Sequence, residues 1–201
     1  MHNQSLIIDG VRVPCFLYGT AWKEQETQRL TELSLLQGFR GIDTANQRRH
    51  YDEAAVGRAV AAAVEDGLLA RSDLFLQTKF TFRRGQDHRL PYDPRAPIAA
   101  QVEQSFASSI EHLGVEVIDS FLLHGPTQCI GLAQADWEAW RTMEIIQRSG
   151  RARLLVSAMS PSSRFRPCAA RHKSGHISSR TDATPSGAGT VTFGCSALRM
   201  D

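Results

Sequence analysis

The sequence predicts an α/β protein of the (β/α)8 TIM-barrel type, incomplete, with about five of the eight βα units and an N-terminal β-hairpin. Short apolar segments alternate with helical patterns between residues 15 and 156, which favours a parallel sheet because parallel strands need crossover connections. An open, doubly wound sheet fits the same alternation. That fold predicts G-x-G-x-x-G after an early strand, whereas this chain reads Gly19-Thr20-Ala21-Trp22 there. The barrel is therefore the preferred architecture.

The first elements are a hairpin and one βα unit. Residues 6–8 and 11–13 flank Asp9-Gly10, a pair that suits the positive φ angles of a two-residue turn. The apolar run 15–19 predicts the next strand. Leu30, Leu33 and Leu36 recur at helical spacing and predict a helix over 27–36.

The same alternation continues to residue 156. We expect strands at 39–43, 73–80, 117–123 and 152–156. The expected helices cover 53–64, run from about Pro97 to residue 113, and run from about Asp136 to residue 149. Proline is accepted in a first helical turn, and Gly114 suits the C-terminal cap of the second of these helices.

Composition excludes several protein classes. The 201 residues are 42% hydrophobic, and no apolar run is long enough for a membrane span. The N-terminus does not resemble a secretory signal, so we expect a cytoplasmic protein. The four cysteines are far apart without a C-x-x-C pair, which indicates neither a metal site nor a disulfide framework.

The net charge of +2 combines two unlike parts. Residues 1–156 carry 17 Lys+Arg and 19 Asp+Glu, whereas residues 157–201 carry 6 and 2, so their charges are −2 and +4. We therefore expect 1–156 to be a partial barrel domain and 157–201 to be a disordered tail. The basic tail is also compatible with nucleic-acid binding, but it has no interleaved aromatic series, and we expect no nucleic-acid partner.

Three polar residues end successive predicted strands: Asp43, Lys79 and His124. Each has a structural alternative as a helix cap, a surface charge or a turn residue. In a barrel, however, the carboxyl ends of the strands converge, and enzymes of this fold carry their chemistry there. A buried lysine beside a phenol would also stabilise the phenolate.

Four segments together resemble the successive signatures of the aldo-keto reductases, over roughly residues 5–156. They are Gly19-Thr20-Ala21-Trp22, Gly38-Phe39-Arg40-Gly41-Ile42-Asp43-Thr44-Ala45, Gln77-Thr78-Lys79-Phe80 and Leu122-Leu123-His124-Gly125-Pro126. The resemblance implies a barrel that reduces small aldehydes or ketones with NADPH and without a metal. It also implies that the opening hairpin closes the bottom of the barrel.

The resemblance implies catalytic roles for Asp43, Lys79 and His124, and a fourth role for a tyrosine. Family members usually place that tyrosine where this chain has Arg48. The first tyrosine after Asp43 is Tyr51, three residues beyond the family's usual position. We prefer Tyr51 to His50 for this role. Tyr51 is then the general acid, Lys79 held by Asp43 tunes it, and His124 orients the carbonyl oxygen. The residues that the resemblance assigns to the cofactor are Gly19, Thr20, Asp43 and Ser157.

The resemblance ends near residue 156. The family has a Gly-Val-Ser-Asn-like segment where this chain reads Leu155-Val156-Ser157-Ala158, and nothing after it matches. A truncation or a shifted reading frame after Val156 explains this change. Two functions therefore stay open: an active reductase, and a truncated fragment that does not bind cofactor. A nucleic-acid binder is a third, less favoured reading, and the sequence predicts neither the substrate nor the oligomeric state.

Overall fold

The computed structural model of the chain describes residues 4–128 and 131–158, together with the backbone of 190–191. The chain opens with a two-stranded antiparallel hairpin of β1 (Ser5–Ile8) and β2 (Val11–Pro14). Asp9 and Gly10 between them have φ angles of 48° and 77°, as the two-residue turn requires.

The rest of the fold is a parallel sheet with crossover helices, as predicted. The strands lie side by side in chain order: β3 (Tyr18–Gly19), β4 (Gly41–Asp43), β5 (Phe75–Phe80), β6 (Ile118–Leu123), β7 (Ala152–Ser157) and β8 (Thr190–Val191). The helices between them are α1 (Thr27–Leu36), α2 (Glu53–Glu65), α3 (Ile98–Leu113) and α4 (Gln134–Arg148). Each helix packs on the next one, so the four helices form one layer over the sheet.

The main core lies between the sheet and this helical layer. Phe80 and Phe121 of the sheet are fully buried, together with Phe106 of α3 and Met143 of α4. A smaller cluster joins Val13 of the hairpin to Phe75 and Leu154. Since Phe75 begins β5, the hairpin packs near the amino ends of the strands and leaves their carboxyl ends open.

Helix α1 forms where the sequence predicts it, but of its leucines only Leu35 is buried, and the predicted stripe of Leu30, Leu33 and Leu36 is not the buried face. Leu33 and Leu36 are 45% and 64% exposed, whereas Thr31 and Ser34 are buried. The Thr31 and Ser34 hydroxyls donate to the carbonyls of Thr27 and Thr31 within the helix. These side chains can therefore be buried without an unpaired donor.

Two further expectations change in detail. The strand expected at 15–19 shortens to Tyr18–Gly19, and Cys15 and Phe16 are exposed. Thr190–Val191 pairs in parallel with Leu155 and Val156, inside the segment for which the sequence predicts no strand. Residues 159–189 and 192–201 lie outside the described residues, so the disorder expected there stays a prediction. None of the described helices is long and apolar enough to cross a membrane.

Candidate active site

The register of the parallel strands aligns the predicted site residues at one edge of the sheet. Gly19 pairs with Asp43, which pairs in turn with Gln77. Lys79, two residues further along β5, pairs with Leu122, two residues before His124. The carboxyl ends of four neighbouring strands therefore border one region, as the barrel interpretation requires.

A buried ion pair lies at the centre of this region. Lys79 Nζ is 2.7 Å from Asp43 Oδ1, and the Lys79 side chain is only 3% exposed. Lys79 Nζ also donates to the Thr44 carbonyl at 2.8 Å, and Gln77 Nε2 donates to Asp43 Oδ1 at 2.7 Å. Buried charged side chains are tolerated when they are paired and hydrogen-bonded, and both conditions are met at this pair.

Tyr51 and His124 lie against this ion pair. Lys79 Nζ is 4.9 Å from the centroid of the Tyr51 ring. The edge of that ring approaches His124, with 6.1 Å between the ring centroids and an angle of 73° between the planes. The structure therefore brings together Asp43, Tyr51, Lys79 and His124, the four side chains that the sequence nominates for catalysis.

His50, the alternative to Tyr51, makes a different contact. Its ring stacks on that of Trp22, with the centroids 3.6 Å apart. The His50 carbonyl also accepts a hydrogen bond from the Trp22 amide at 2.8 Å. His50 thus connects the loop after β4 to the loop after β3, while the next residue presents its ring to Lys79.

The loop before Tyr51 forms a turn at the surface. The amides of His50 and Tyr51 both donate to the Gln47 carbonyl, and Arg48 and Arg49 are exposed on the resulting bulge. Asp52 then caps α2 by accepting from the Ala55 amide at 2.9 Å. Arg48 and Arg49 therefore extend towards solvent, and Tyr51 lies next to the first turn of α2.

His124 is uncharged at neutral pH in this environment. Burial, and then the Lys79 ammonium, lower the pKa of His124 from 6.5 to about 4, and the Asp43 carboxylate only partly opposes them. Its Nδ1 lies 2.8 Å from the Thr81 hydroxyl. Thr81 therefore fixes the orientation of the ring.

The residues nominated for the cofactor have unequal surroundings. Gly19 is exposed, and no atom lies within 4 Å of the position that a Cβ would take there, so a ligand group has room beside Asp43. Ser157 ends β7 and is half-buried. Thr20 is fully buried, and both its amide and its hydroxyl donate to the Asp43 carbonyl. Thr20 therefore fastens β3 to β4.

A cavity of about 700 Å³ adjoins the loop that carries Tyr51. Trp22, His50 and Tyr51 form its aromatic side, and the basic residues Arg48 and Arg89 also line it. In the described part of the chain, no group of three or more His, Cys, Asp and Glu residues is placed to hold a metal.

Sequence reasoning missed two supporting residues. Gln77 lies two residues before Lys79 on β5, and the alternation of a strand would have placed it on the same face. The Ser120 hydroxyl on β6 in turn donates to Gln77 Oε1 at 2.9 Å. Thr81 and His124 directly follow Phe80 and Leu123, which pair at the ends of β5 and β6, so the register of the two strands places them side by side.

Comparisons with known proteins agree with this geometry. The model of the aldo/keto reductase family matches residues 17–165. An uncharacterised oxidoreductase, YtbE, of Bacillus subtilis is 28% identical over 157 residues, which are 77% of this chain and 49% of YtbE. Morphine 6-dehydrogenase of Pseudomonas putida is 30% identical over 153 residues, 73% of this chain and 43% of that enzyme. The chain thus spans about half the length of these relatives.

Solved structures show the same fold. The aldo-keto reductase AKR2E4 of Bombyx mori, in complex with NADP, superposes with a TM-score of 0.61 at 25% identity. The alignment covers 78% of this chain and 50% of that structure. An aldo/keto reductase from Brucella melitensis gives a TM-score of 0.60 at 24% identity, over 77% of this chain and 53% of that structure.

Proposed function

Because the chain belongs to the aldo/keto reductase family, we propose that it serves the NADPH-dependent reduction of a small aldehyde or ketone, with Tyr51 as general acid. The observation that carries this proposal is the buried Asp43–Lys79 pair, whose ammonium lies 4.9 Å from the Tyr51 ring. A cation that is fixed beside a phenol favours the negative charge that the phenol acquires when it gives up its proton.

Cofactor binding falls to the residues at the strand ends. The NADP complex of the Bombyx mori relative supports this choice of cofactor. The open space beside Gly19 and the half-buried Ser157 fit a group that lies across the strand ends. NADPH, when bound, supplies the hydride that reduces the carbonyl carbon. Thr20 contributes to cofactor binding indirectly, because its hydroxyl donates a hydrogen bond to the Asp43 carbonyl and so holds the backbone there.

Tyr51 protonates the carbonyl oxygen, and the ion pair makes that step easier. Asp43 and the Thr44 carbonyl hold the Lys79 ammonium in place, and Gln77 holds Asp43. Since Lys79 is almost fully buried, solvent screens its field at the phenol only weakly. The charge that stabilises the phenolate after proton transfer is therefore already in place before the reaction begins.

His124 orients the substrate as a neutral hydrogen-bond donor. Its low pKa keeps the imidazole uncharged at neutral pH. When the Thr81 hydroxyl donates to Nδ1, the ring proton is on Nε2, from which it can be donated to a carbonyl oxygen. Acid and orienting groups are thus separate side chains that meet edge to face.

Turnover of matched variants tests the assignment of the acid. We expect Tyr51→Phe to lower NADPH consumption with a panel of small aldehydes and ketones by about 10²- to 10⁴-fold, because the proton donor is removed. His50→Gln is the control, since His50 stacks on Trp22, and it should retain most of the rate. Full turnover by Tyr51→Phe would eliminate Tyr51 as the acid.

A second candidate is a non-catalytic fragment that keeps the site residues but does not bind cofactor. This chain spans 49% and 43% of the length of two relatives, YtbE and morphine 6-dehydrogenase. Fluorescence titration of the 201-residue chain with NADPH separates the two candidates. Saturable binding at micromolar NADPH contradicts the fragment, and no binding at millimolar NADPH contradicts the active reductase.

A cytoplasmic location and the absence of a nucleic-acid partner stay predictions from the sequence. The Arg- and Lys-containing segment on which nucleic-acid binding would depend lies outside the described residues. A filter-binding assay with duplex DNA at low and high salt tests that reading, because phosphate contacts weaken steeply as salt rises.

A further inference from the structure

Two loops meet beside the candidate site, and a buried glutamine, Gln86, is one of the residues that join them by hydrogen bonds. The 44–51 loop follows β4 and carries Tyr51, and the 81–92 loop follows β5. Gln86 of the 81–92 loop donates from Nε2 to the Asn46 carbonyl at 2.8 Å and to the Thr81 carbonyl at 3.3 Å. The residue is only 7% exposed, so water does not compete for these bonds.

The two carbonyl groups belong to the supports of two different site residues. Asn46 lies in the 44–51 loop, and its backbone N–H donates to the Lys79 backbone carbonyl at 3.3 Å. Thr81 places its hydroxyl 2.8 Å from Nδ1 of His124. The amide group of Gln86 is therefore bonded to the loop that carries Tyr51 and to the residue that orients His124.

Gln86 itself is held in a tightly packed turn. A Cβ on Gly85 would lie 2.7 Å from Cγ2 of Thr81, so only glycine permits this approach. The Gly85 carbonyl accepts from Gln47 Nε2 at 2.7 Å, which adds a second bond between the two loops. The turn therefore cannot shift without disturbing the 44–51 loop.

The amide side chains at this junction donate to backbone carbonyls. Asn46 Nδ2 donates to the Ser105 carbonyl at 2.9 Å, Gln47 Nε2 to the Gly85 carbonyl at 2.7 Å and Gln86 Nε2 to the Asn46 carbonyl at 2.8 Å. An apolar side chain at position 86 would donate no such bond and would leave a buried carbonyl without this donor.

We propose that Gln86 is a positioning residue that holds Tyr51 and His124 in their mutual arrangement through the Asn46 and Thr81 carbonyls. The proposal rests on the proposed function only for the chemical roles of those two side chains. Their placement is a property of the chain by itself and can be measured without NADPH or substrate.

NMR of the full chain with labelled tyrosine and histidine rings tests this placement. In Gln86→Leu, we expect the Tyr51 and His124 ring signals to move, because the distances from these rings to Lys79 change. The Tyr18 signal should not move. Gln101→Leu is the matched control, because Gln101 is also a buried glutamine whose amide donates to two backbone carbonyls, those of Pro94 and Ala96.

These NMR measurements test the positioning role of Gln86 independently of the assignment of Tyr51 as the acid. A folded Gln86→Leu chain with unchanged Tyr51 and His124 signals would overturn it, as would equal changes in Gln101→Leu. Gln86→Met and Gln86→Asn guard against misfolding of one variant, and loss of folding in all three would also overturn it, because Gln86 would then serve the fold as a whole. If the signals move but Tyr51→Phe keeps its turnover, Gln86 retains its positioning role and the assignment of the acid fails.

Discussion

The two ends of the sheet each bury an aspartate that is paired with cations. At the carboxyl end, Asp43 binds Lys79 at 2.7 Å. Near the amino end, Asp119 of β6 binds Arg71 at 2.7 Å and Arg153 at 3.1 Å, and it accepts from the Leu76 amide at 2.9 Å. Both carboxylates are satisfied by charge and hydrogen bonds, so burial alone does not distinguish them.

The cations make the difference. The side chains of Arg71 and Arg153 are 31% and 52% exposed, so they reach Asp119 from the surface and connect strands and loops there. Lys79 is buried, and its ammonium faces the ring of Tyr51. A buried ion pair is therefore a candidate for part of a catalytic site when its cation also faces a side chain that can exchange a proton.

The largest effect on stability is expected at the amino end. Asp119→Ala removes the acceptor of two arginines and of the Leu76 amide, so we expect it to lower the free energy of unfolding by about 3 kcal/mol. Urea unfolding followed by circular dichroism measures the change. Glu116→Gln, at an exposed glutamate three residues earlier, is the control. A decrease in the free energy of unfolding of less than about 1 kcal/mol would show that Asp119 does not stabilise the amino end of the sheet as proposed.

At the carboxyl end of the sheet, the contribution of His124 should instead make the free energy of unfolding depend on pH. Because the pKa of His124 is about 4 in the folded chain and near 6.5 when unfolded, the unfolded state binds more protons between these values. The stability associated with neutral His124 is therefore present above pH 6.5 and lost as pH falls towards 4, by about 2 to 3 kcal/mol. His124→Gln should remove this loss, and His88→Gln, at an exposed histidine, should keep it. Identical pH profiles for the wild type and His124→Gln would contradict the prediction.

The smallest effect is expected for the more exposed cation of Asp119. Arg153→Ala should lower the free energy of unfolding by about 0.5 kcal/mol, because solvent screens a half-exposed guanidinium and Arg71 remains bound. Its effect should shrink further at high salt. An effect as large as that of Asp119→Ala would mean that the two arginines do not share the carboxylate as the distances indicate.

Much of the fold follows from local patterns in the sequence. The bounds of α1, Thr27–Leu36, agree with the prediction, and Asp9-Gly10 forms the expected turn. The spacing of Leu30, Leu33 and Leu36 did not predict the buried face of α1, which is formed by Leu35 together with Thr31 and Ser34, whose hydroxyls are hydrogen-bonded inside the helix. Periodicity gives the existence of a helix, but side-chain hydrogen bonds decide which face the core accepts.

The candidate site was predictable in its charged members and not in its supports. Strand ends indicated Asp43, Lys79 and His124, because parallel strands bring their carboxyl ends together. Tyr51 required a resemblance, since a loop of altered length precedes it. Thr81 meets His124 through the register of β5 and β6, which the sequence does not fix, and Gln86 joins two loops, a contact that leaves no period in the sequence.

The central claim is that buried Lys79 makes Tyr51 a better proton donor. Ultraviolet difference titration of the tyrosines, with Tyr51→Phe to assign the signal, measures it without cofactor or substrate. We predict that the midpoint of Tyr51 ionisation rises in Lys79→Met, because the buried cation beside the phenol is removed, and does not change in Lys23→Met. A midpoint that is the same in the wild type and in Lys79→Met would contradict the account.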